Sequence, residues 1–521
     1  MAEKQNRLVI DVGTQSLRAS IIDQKGTTLA FCKEKYETPY LSPSSGFAEQ
    51  DADFYLDRLC KATERLDKEN KGLRQSVLGR SVVPFRDTAV LLDKNKNPIR
   101  PCILWLDQRV ERLHEKNLRF YERILFRLIG RKDTVIYNSE RTPTHWIKSH
   151  EKVNWAKRKY YSPLGGYFNY RITGNLVCST ADTIGHYPIN FKTGKWFGKR
   201  HPKQSVFGIP YSALVPLIPP SSLIGKVTEE FSLKSHIPCG TKVYASGSDK
   251  ACETFGNGCR DKTTASVSLG TACTIDVVDS KYSEPERFLP SYITPYKGGY
   301  DLEVQIYRGL WMIRWYIDNF GANDRVEAER MHLSVEDYLD RMVAKIPAGS
   351  DGLVLQPYWG PGLKRPNAKG SIVGFSAVHT RFHLVRAIYE GIAFALKEGL
   401  DEIRKKTHRK PDYIVLSGGG SSNAVIPQII ADVFGLECHI SSTPESCSLG
   451  GAMAGFVSAG VFSSPKDAVK SRVKEGKIIQ PNPSNHALYE RLYQSVYRKR
   501  YPSLKQIYGN CKKFYLDNSK D

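Results

Sequence analysis

From residue 7 the chain alternates short apolar runs with small, polar turns. The stretch LVIDVGTQSLRASIID, residues 8–23, sets an apolar LVI, a Gly-Thr turn and the alternating Leu17, Ala19 and Ile21 in succession. This pattern predicts a β-hairpin over residues 7–23, closed by a second turn at Gln24-Lys25-Gly26. The same device recurs in TTASVSLGTACTIDV, residues 263–277. Either turn has an architectural explanation by itself, because glycine supplies the positive φ that tight hairpins use. Their separation by about half the chain predicts two domains of related design, each contributing one hairpin.

Other segments carry helical spacing. Residues 141–174 place Trp and Tyr at helical intervals and predict core aromatics. In HLVRAIYEGIAFALKEGLDEIRKK, residues 383–406, Leu384, Ile388, Ala395 and Ile403 fall at multiples of three or four, which predicts a long helix with one buried face. An apolar strand then runs into the triple glycine of PDYIVLSGGGSS, residues 411–422, followed by a second helical pattern in NAVIPQIIADVFG. Strand, glycine-rich turn and helix N-terminus together make an anion or nucleotide site. Past about residue 460 the chain turns polar and helical, and its tail CKKFYLDNSKD is expected to fray.

Length agrees with two domains, since 521 residues exceed the roughly 250–300 at which a single core stops growing. With 40% hydrophobic and 25% charged residues and a mean hydropathy of -0.40, the composition is that of a soluble globular protein. No apolar run approaches the ~18 residues of a membrane span. The start MAEKQNRLVID has no signal-peptide core, so it reads as uncleaved and the expected location is cytoplasmic. The 11 cysteines form no Cys-x-x-Cys pair and read as reduced, mostly buried thiols. A net charge of +22 raises nucleic acid or anionic lipid as partners. The basic residues are spread out, however, and the densest cluster, residues 404–410, reads as a solvated helix end. With no zinc-finger spacing or aromatic RNA-binding motif, no specific nucleic-acid partner is expected. The assembly state is left open, a homodimer included.

Neither G-x-x-x-x-G-K-S/T nor G-x-G-x-x-G opening a βαβ unit is present, so a nucleotide is not held by a P-loop or a Rossmann turn. Instead, two strand-turn-strand loops with the hydroxyls of Thr14, Ser16 and Thr271, plus the triple glycine, offer phosphate-compatible backbone. In VYASGSDKACETFGNG, residues 243–258, Asp249 follows Ser246-Gly247-Ser248. Two readings stand side by side there: a helix N-cap, or a carboxylate placed where a ligand approaches closely.

In order along the chain, DVGTQSLRAS, GFAEQDADFY, LGTACTI, GSIVGFSAVHTRFHLVRAIYE (through Gly370, Gly374, His383, Ala387 and Glu390) and SGGGSSNAVIPQIIADVFG with ESCSLGGAMAG resemble the FGGY family of carbohydrate kinases. The match runs from residue 7 to about 460. It implies an α/β fold of two ribonuclease H-like domains of the actin/Hsp70/hexokinase superfamily with a ligand cleft between them. Residues 1–247 would hold the sugar and the first phosphate loop. Residues 248–521 would hold ATP, with a helical tail from about 461. The implied activity is ATP-dependent phosphorylation of a hydroxyl on a small sugar or polyol, with Mg²⁺.

Carried over by position, Asp249 matches the catalytic base, and Asp11 the acidic residue that holds Mg²⁺ directly or through water. Gly13, Thr14, Gln15, Arg18, Gly270, Thr271 and Gly309 match positions near the phosphates; Gly419, Gly420 and Asn423 match positions at the adenosine. Arg86 and Asp87 stand where glycerol kinases carry Arg-Glu and xylulose kinases Met-His, and Trp105 matches a tryptophan of the substrate pocket. Four positions depart from the family pattern: Lys250 replaces the Gln of glycerol kinases, Asp87 is one methylene shorter than Glu, Pro143 replaces a usual Lys, and Phe375 a smaller aliphatic. Lys250 is expected to lower the pKa of the base or to meet an anionic or keto group of the sugar. Phosphoryl transfer needs in-line positioning and charge stabilisation, with Asp249 accepting the hydroxyl proton. The rival readings are an ATPase of the same superfamily and a non-catalytic sugar or nucleotide sensor.

Overall fold

The computed structural model describes residues 5–286, 289–359, 365, 368–472 and 476–518. Two mixed sheets repeat one plan. In the first, β1 (Asn6–Val12), β2 (Ser16–Ile22) and β3 (Thr28–Lys35) form an antiparallel meander. To it are added β4 (Val77–Pro84), parallel to β1, and then β5 (Leu223–Lys226) and β6 (Lys242–Tyr244), giving the order β5-β6-β4-β1-β2-β3. In the second, β7 (Thr264–Leu269), β8 (Cys273–Asp279), β9 (Tyr292–Ile293) and β10 (Tyr300–Ile306) are joined by β11 (Tyr413–Ser417), β12 (Glu437–Ile440) and β13 (Ile478–Ile479). Their order is β9-β10-β8-β7-β11-β12-β13, with β7 antiparallel to β8 and parallel to β11. Both expected hairpins are thus present, one per sheet.

Neither turn uses its glycine as expected, since Gly13 and Gly270 both lack a positive φ. Close approach is the reason for glycine instead. The N–H of Gly13 donates to the carbonyl of Ser16 at 3.0 Å, and a Cβ on Gly13 would stand 3.0 Å from that same oxygen.

Side-chain alternation sends the two faces of β1 to different partners. Leu8, Ile10 and Val12 pack with α1 (Ala52–Glu69) and α2 (Leu164–Thr173), through Tyr55, Leu59, Tyr167 and Phe168. Val9 and Val83 face the other way, onto α3 (Asp249–Gly256). On the second sheet, α4 (Trp311–Phe320) and α5 (Arg381–Thr407) complete a separate core with Ile275, Val277 and Leu302. The long helix expected at 383–406 is there, but every residue from Val385 to Lys397 is buried, not one face alone. The segment past 460 covers its second side: Phe394 meets the rings of Tyr489, Tyr493 and Tyr497, and Lys397 pairs with Glu490 at 3.2 Å. The strand after α5 leads through the triple glycine into a 3₁₀ turn, and α6 (Ile426–Phe434) begins beyond it.

The helix α7 (Ser446–Ser458) belongs by sequence to the second half yet lies on β1 and β4 of the first sheet, beside α3. The last helix, α8 (Arg498–Asn518), is anchored ahead of the tail expected to fray, where Tyr508 is buried and donates to Ser371 Oγ at 2.8 Å, and runs on into that tail with Cys511 and Phe514 exposed. Residues 519–521 of that tail lie outside the described ones. The cysteines are free thiols, most of them buried, with Cys239 and Cys511 exposed. The basic cluster follows the expected pattern: Arg404, Lys405 and Lys406 occupy the last turn of α5, which His408 ends at φ 54°. Among the described residues no helix is long and apolar enough to cross a membrane.

The α3–α7 contact is a crossing at backbone distance. A Cβ on Gly256 would overlap the carbonyl of Ser446, and one on Gly450 the carbonyl of Cys252. Gly450→Ala is therefore expected to destabilise the protein by about 3 kcal/mol, the upper end for overpacking, because backbone cannot swing aside as a side chain can. Urea denaturation checks this; an unchanged midpoint and slope would show that the helices separate at no cost.

Candidate active site

Helix α3 stands between the two sheets and divides its residues between them at helical spacing. Cys252 and Phe255 pack with Val9, Val83 and α7. Lys250, Glu253 and Asn257 point to a polar face of the second sheet. There Lys250 Nζ donates to Glu253 Oε2 and Ser268 Oγ, both at 2.6 Å, and Ser417 Oγ donates to Glu253 Oε1 at 2.7 Å. Asn257 Nδ2 donates to Ser266 and Ser417, each at 2.9 Å. Lys250 is thus held in this network; of its two expected roles, its charge does act to lower the Asp249 pKa.

The helix is capped by Ser248, whose Oγ accepts from the Ala251 N–H. Asp249 is the first helical residue, so the capping role belongs to its neighbour and the N-cap reading of this stretch falls away. Its Oδ1 accepts the Lys250 N–H at 2.8 Å, and 32% of its side chain stays exposed. Burial pushes the Asp249 pKa up, against the opposing charges of Arg86 and Lys250.

Asp11 shares the face of β1 that carries Val9, which aims it at the same region. It stands opposite Arg18 in the β1–β2 register, and Arg18 Nη1 meets its Oδ2 at 3.1 Å. Burial, with Asp249 adding to it and Arg18 opposing, raises Asp11 to about 6. A buried carboxylate held this far above its ordinary range, with a second carboxylate acting on it, is short of positive charge, and a divalent cation fits that deficit. Among the described residues no group of three or more His, Cys, Asp or Glu side chains is arranged to cage a metal. Arg18, expected at the phosphates, is held between Asp11 and Glu445, with Nε 3.1 Å from Glu445. In the first loop Thr14 is half-buried and Gln15 exposed, and Thr14 Oγ1 accepts the indole N–H of Trp105 at 2.9 Å. This joins the expected sugar-pocket tryptophan to the phosphate loop.

Arg86 and Asp87 follow β4. The guanidinium of Arg86 lies over the Tyr292 ring, 5.7 Å from its centroid, donates through Nη1 to Glu303 at 2.7 Å, and holds Nε 3.8 Å from Asp249 Oδ1. Asp87 sits at φ 54° and accepts from His186 through both the backbone N–H, at 2.8 Å, and the ring Nδ1, at 2.8 Å. Gly185 permits this approach, because a Cβ there would overlap the Asp87 carboxylate.

On the second sheet the glycine loops converge. The Gly309 N–H donates to Thr271 O at 2.9 Å and the Leu310 N–H to Gly270 O at 3.1 Å. A Cβ on Gly420 would stand 2.9 Å from Leu269 Cβ, while one on Gly419 would meet nothing within 4 Å. Thr271, Gly418 and Gly419 are exposed, and Gly419 faces open space of the kind that suits phosphate or adenosine. Asn423 is spent structurally, its Oδ1 accepting from the Val425 and Ile426 N–H groups at 2.8 Å.

The signature at 370–390 is architectural. Glu390 accepts from the Gly349 N–H and Ser350 Oγ, both at 2.9 Å, and from Tyr489 at 2.7 Å, tying α5 to the loop before it and to the C-terminal segment. Phe375 is 61% exposed. Sequence reasoning missed Glu303, His186 and Glu445. Glu303 left a readable signal, since YDLEVQI alternates acids with apolar residues in a strand that is buried on both faces. His186 left none besides a Gly-His pair.

Comparison with known proteins agrees with this geometry. The model of the FGGY family of carbohydrate kinases, N-terminal domain, matches residues 7–256, and that of the C-terminal domain residues 265–459. A xylulose kinase of Lactococcus lactis subsp. lactis (strain IL1403) is 27% identical over 508 residues, covering 96% of this chain and 97% of the relative. Two crystal structures from Lactobacillus acidophilus share the fold, each covering 97% of this chain and 99% of its own. One is a gluconate kinase (TM-score 0.82, 22% identity) and the other a ligand-bound xylulose kinase (TM-score 0.82, 21% identity).

The Asp87–His186 pair makes a pH-dependent contribution to stability. Burial opposes both charges, but each partner outweighs it for the other, leaving Asp87 below and His186 above its ordinary range. The depressed acid contributes fully above its reference value of 3.8, and the raised base below its reference value of 6.5. The pair is thus strongest between these values, weakening as pH falls through the Asp87 pKa or rises through that of His186. His186→Gln is expected to cost about 1 kcal/mol near pH 5.5, with the difference from wild type shrinking by pH 9. A denaturation series across pH checks this; a difference that is constant or grows with pH would contradict it.

Proposed function

Because the chain belongs to the FGGY family of carbohydrate kinases, we propose that it transfers the γ-phosphoryl group of ATP to one hydroxyl of a small sugar or polyol, with Asp249 as general base. The xylulose kinases among its relatives favour a pentulose acceptor over a pentitol or glycerol-like one. The observation that carries the reading is Asp249 itself, at the start of α3, its side chain open, its pKa raised and its capping role taken by Ser248.

In the proposed reaction the acceptor lies beside Trp105 and Arg86, with one hydroxyl directed at the free oxygen of Asp249. As the hydroxyl oxygen forms its bond to the γ-phosphorus and the bond to the ADP oxygen breaks, the hydroxyl proton passes to Asp249 Oδ2, since Oδ1 already accepts the Lys250 N–H. The raised pKa makes this carboxylate a better base than an exposed Asp, though positioning is its larger contribution. Backbone N–H groups of the Thr14 and Thr271 loops flank the phosphates, and Gly418–Gly420 accepts the adenosine side. Asp11 is the residue that would hold Mg²⁺, directly or through water, and the ion would supply charge neutralisation at the phosphates. An ATPase of the same superfamily would have no use for Arg86 beside Asp249 or for Trp105 on the Thr14 loop.

The test is ADP release with Mg-ATP across glycerol, tetritols, pentitols, pentuloses and hexuloses. Sugar-dependent release is expected, reduced at least about 100-fold in Asp249→Asn with ATP binding retained. Release that ignores every sugar would replace the kinase by an ATPase, and near-wild-type turnover of the variant would remove Asp249 from the mechanism.

A further inference from the structure

The ion pair between Arg86 and Glu303 joins the two halves of the chain inside the site. Arg86 follows β4 of the first sheet; Glu303 sits in the middle of β10 of the second, opposite Asp276 in the β8–β10 register. The contact is short, 2.7 Å, and both side chains are largely buried, at 13% and 4% exposure. The same guanidinium holds Nε 3.8 Å from Asp249 Oδ1, beyond hydrogen-bond reach. One cation therefore lies between two carboxylates and bonds only the one that is not the base.

The groups around it leave little choice of partner. Asp276 and Asp301, beside Glu303, are driven strongly toward their neutral forms by burial and by their carboxylate neighbours. Asp87 is taken by His186, Lys250 by Glu253 and Arg18 by Asp11 and Glu445. Tyr292 lies under the guanidinium, and Tyr307 is a further phenol acting with Glu303 and Arg86. Without Glu303, the carboxylate that remains within 4 Å of Arg86 is Asp249, 3.8 Å from Nε.

We infer that Glu303 is a positioning residue that holds Arg86 off the Asp249 carboxylate, keeping the base open to the acceptor hydroxyl and coupling the sugar side of the cleft to the nucleotide side. The inference rests on Asp249 being the base. With Glu303 in place, Arg86 spends Nη1 on it and turns its remaining N–H groups to the acceptor. When the glutamate charge is lost, the guanidinium collapses onto Asp249 and occupies the oxygen that should receive the proton. The effect then falls on turnover, while the glycine loops that hold the nucleotide are untouched.

Steady-state kinetics on the full-length protein, with the best acceptor of the sugar screen, tests this through Glu303→Gln, Glu303→Asp, Arg86→Met and the double variant Arg86→Met/Glu303→Gln. For Glu303→Gln, kcat is expected to fall roughly 10- to 100-fold, the scale of a misplaced catalytic contact, with KM for ATP unchanged within about twofold. Glu303→Asp, which keeps the charge, should recover part of the loss. The double variant should be no slower than Arg86→Met alone, because Glu303 acts through Arg86. Wild-type turnover in Glu303→Gln, or losses that multiply in the double variant, would overturn the inference. Should Glu303→Gln fail to fold, as thermal melting would reveal, Glu303→Asp against Arg86→Met decides: a kcat of Glu303→Asp that falls with KM for ATP unchanged supports the inference, and an unaltered kcat refutes it. Activity retained in Asp249→Asn would instead sink the assignment of the base, an outcome distinct from these.

Discussion

The site depends on a two-turn helix wedged between two sheets. Helix α3 presents apolar residues to the first sheet and a Lys-Glu-Asn face to the second, so its first residue is held where the two halves meet. Gly256 and Gly450 let it cross α7 at backbone distance. That crossing makes the position of Asp249 a property of the core and not of a loop. A carboxylate carried on such an element keeps its geometry through the loop motions by which kinases admit and release their ligands.

Around this wedge the charges are matched with little to spare. Arg18 pairs with Asp11 and Glu445, Arg86 with Glu303, His186 with Asp87 and Lys250 with Glu253. Each pair is costly to bury and costlier to break, because removing one partner strands the other. Asp249 is left without a close cationic partner, Arg86 Nε standing 3.8 Å away, while Asp11 shares Arg18 with Glu445. Asp249 stays open at one oxygen, and Asp11 is raised to about 6, which suits it to a phosphate-bound cation. The surplus of lysine and arginine in the composition is not spent in this cleft, where the cations are answered one by one.

Much of this was legible in the chain. Period-two runs around a Gly-Thr turn mark both hairpins, and the strand, triple glycine and helix of residues 411–434 follow from local chemistry. What local pattern could not supply was pairing across distance. Nothing near Lys250 or Arg18 in sequence reveals Ser268 or Glu445 as their partners. Gly13 read as a positive-φ glycine, where the structure needs it for a close approach to Ser16. The helix at 381–407 read as one-sided, because the Tyr489, Tyr493 and Tyr497 that cover its other side lie about a hundred residues on. Glu303 escaped notice for the same reason, its meaning lying in an arginine more than two hundred positions earlier.

The central claim is that the carboxylate at the start of α3 directs phosphoryl transfer to a sugar hydroxyl and not to water. The stoichiometry of products during turnover with the best acceptor, followed by ³¹P NMR, tests it most directly. One sugar phosphate ester formed for each ADP, with inorganic phosphate at background, is the predicted result. Inorganic phosphate rising in step with ADP, and no ester signal, would contradict the account.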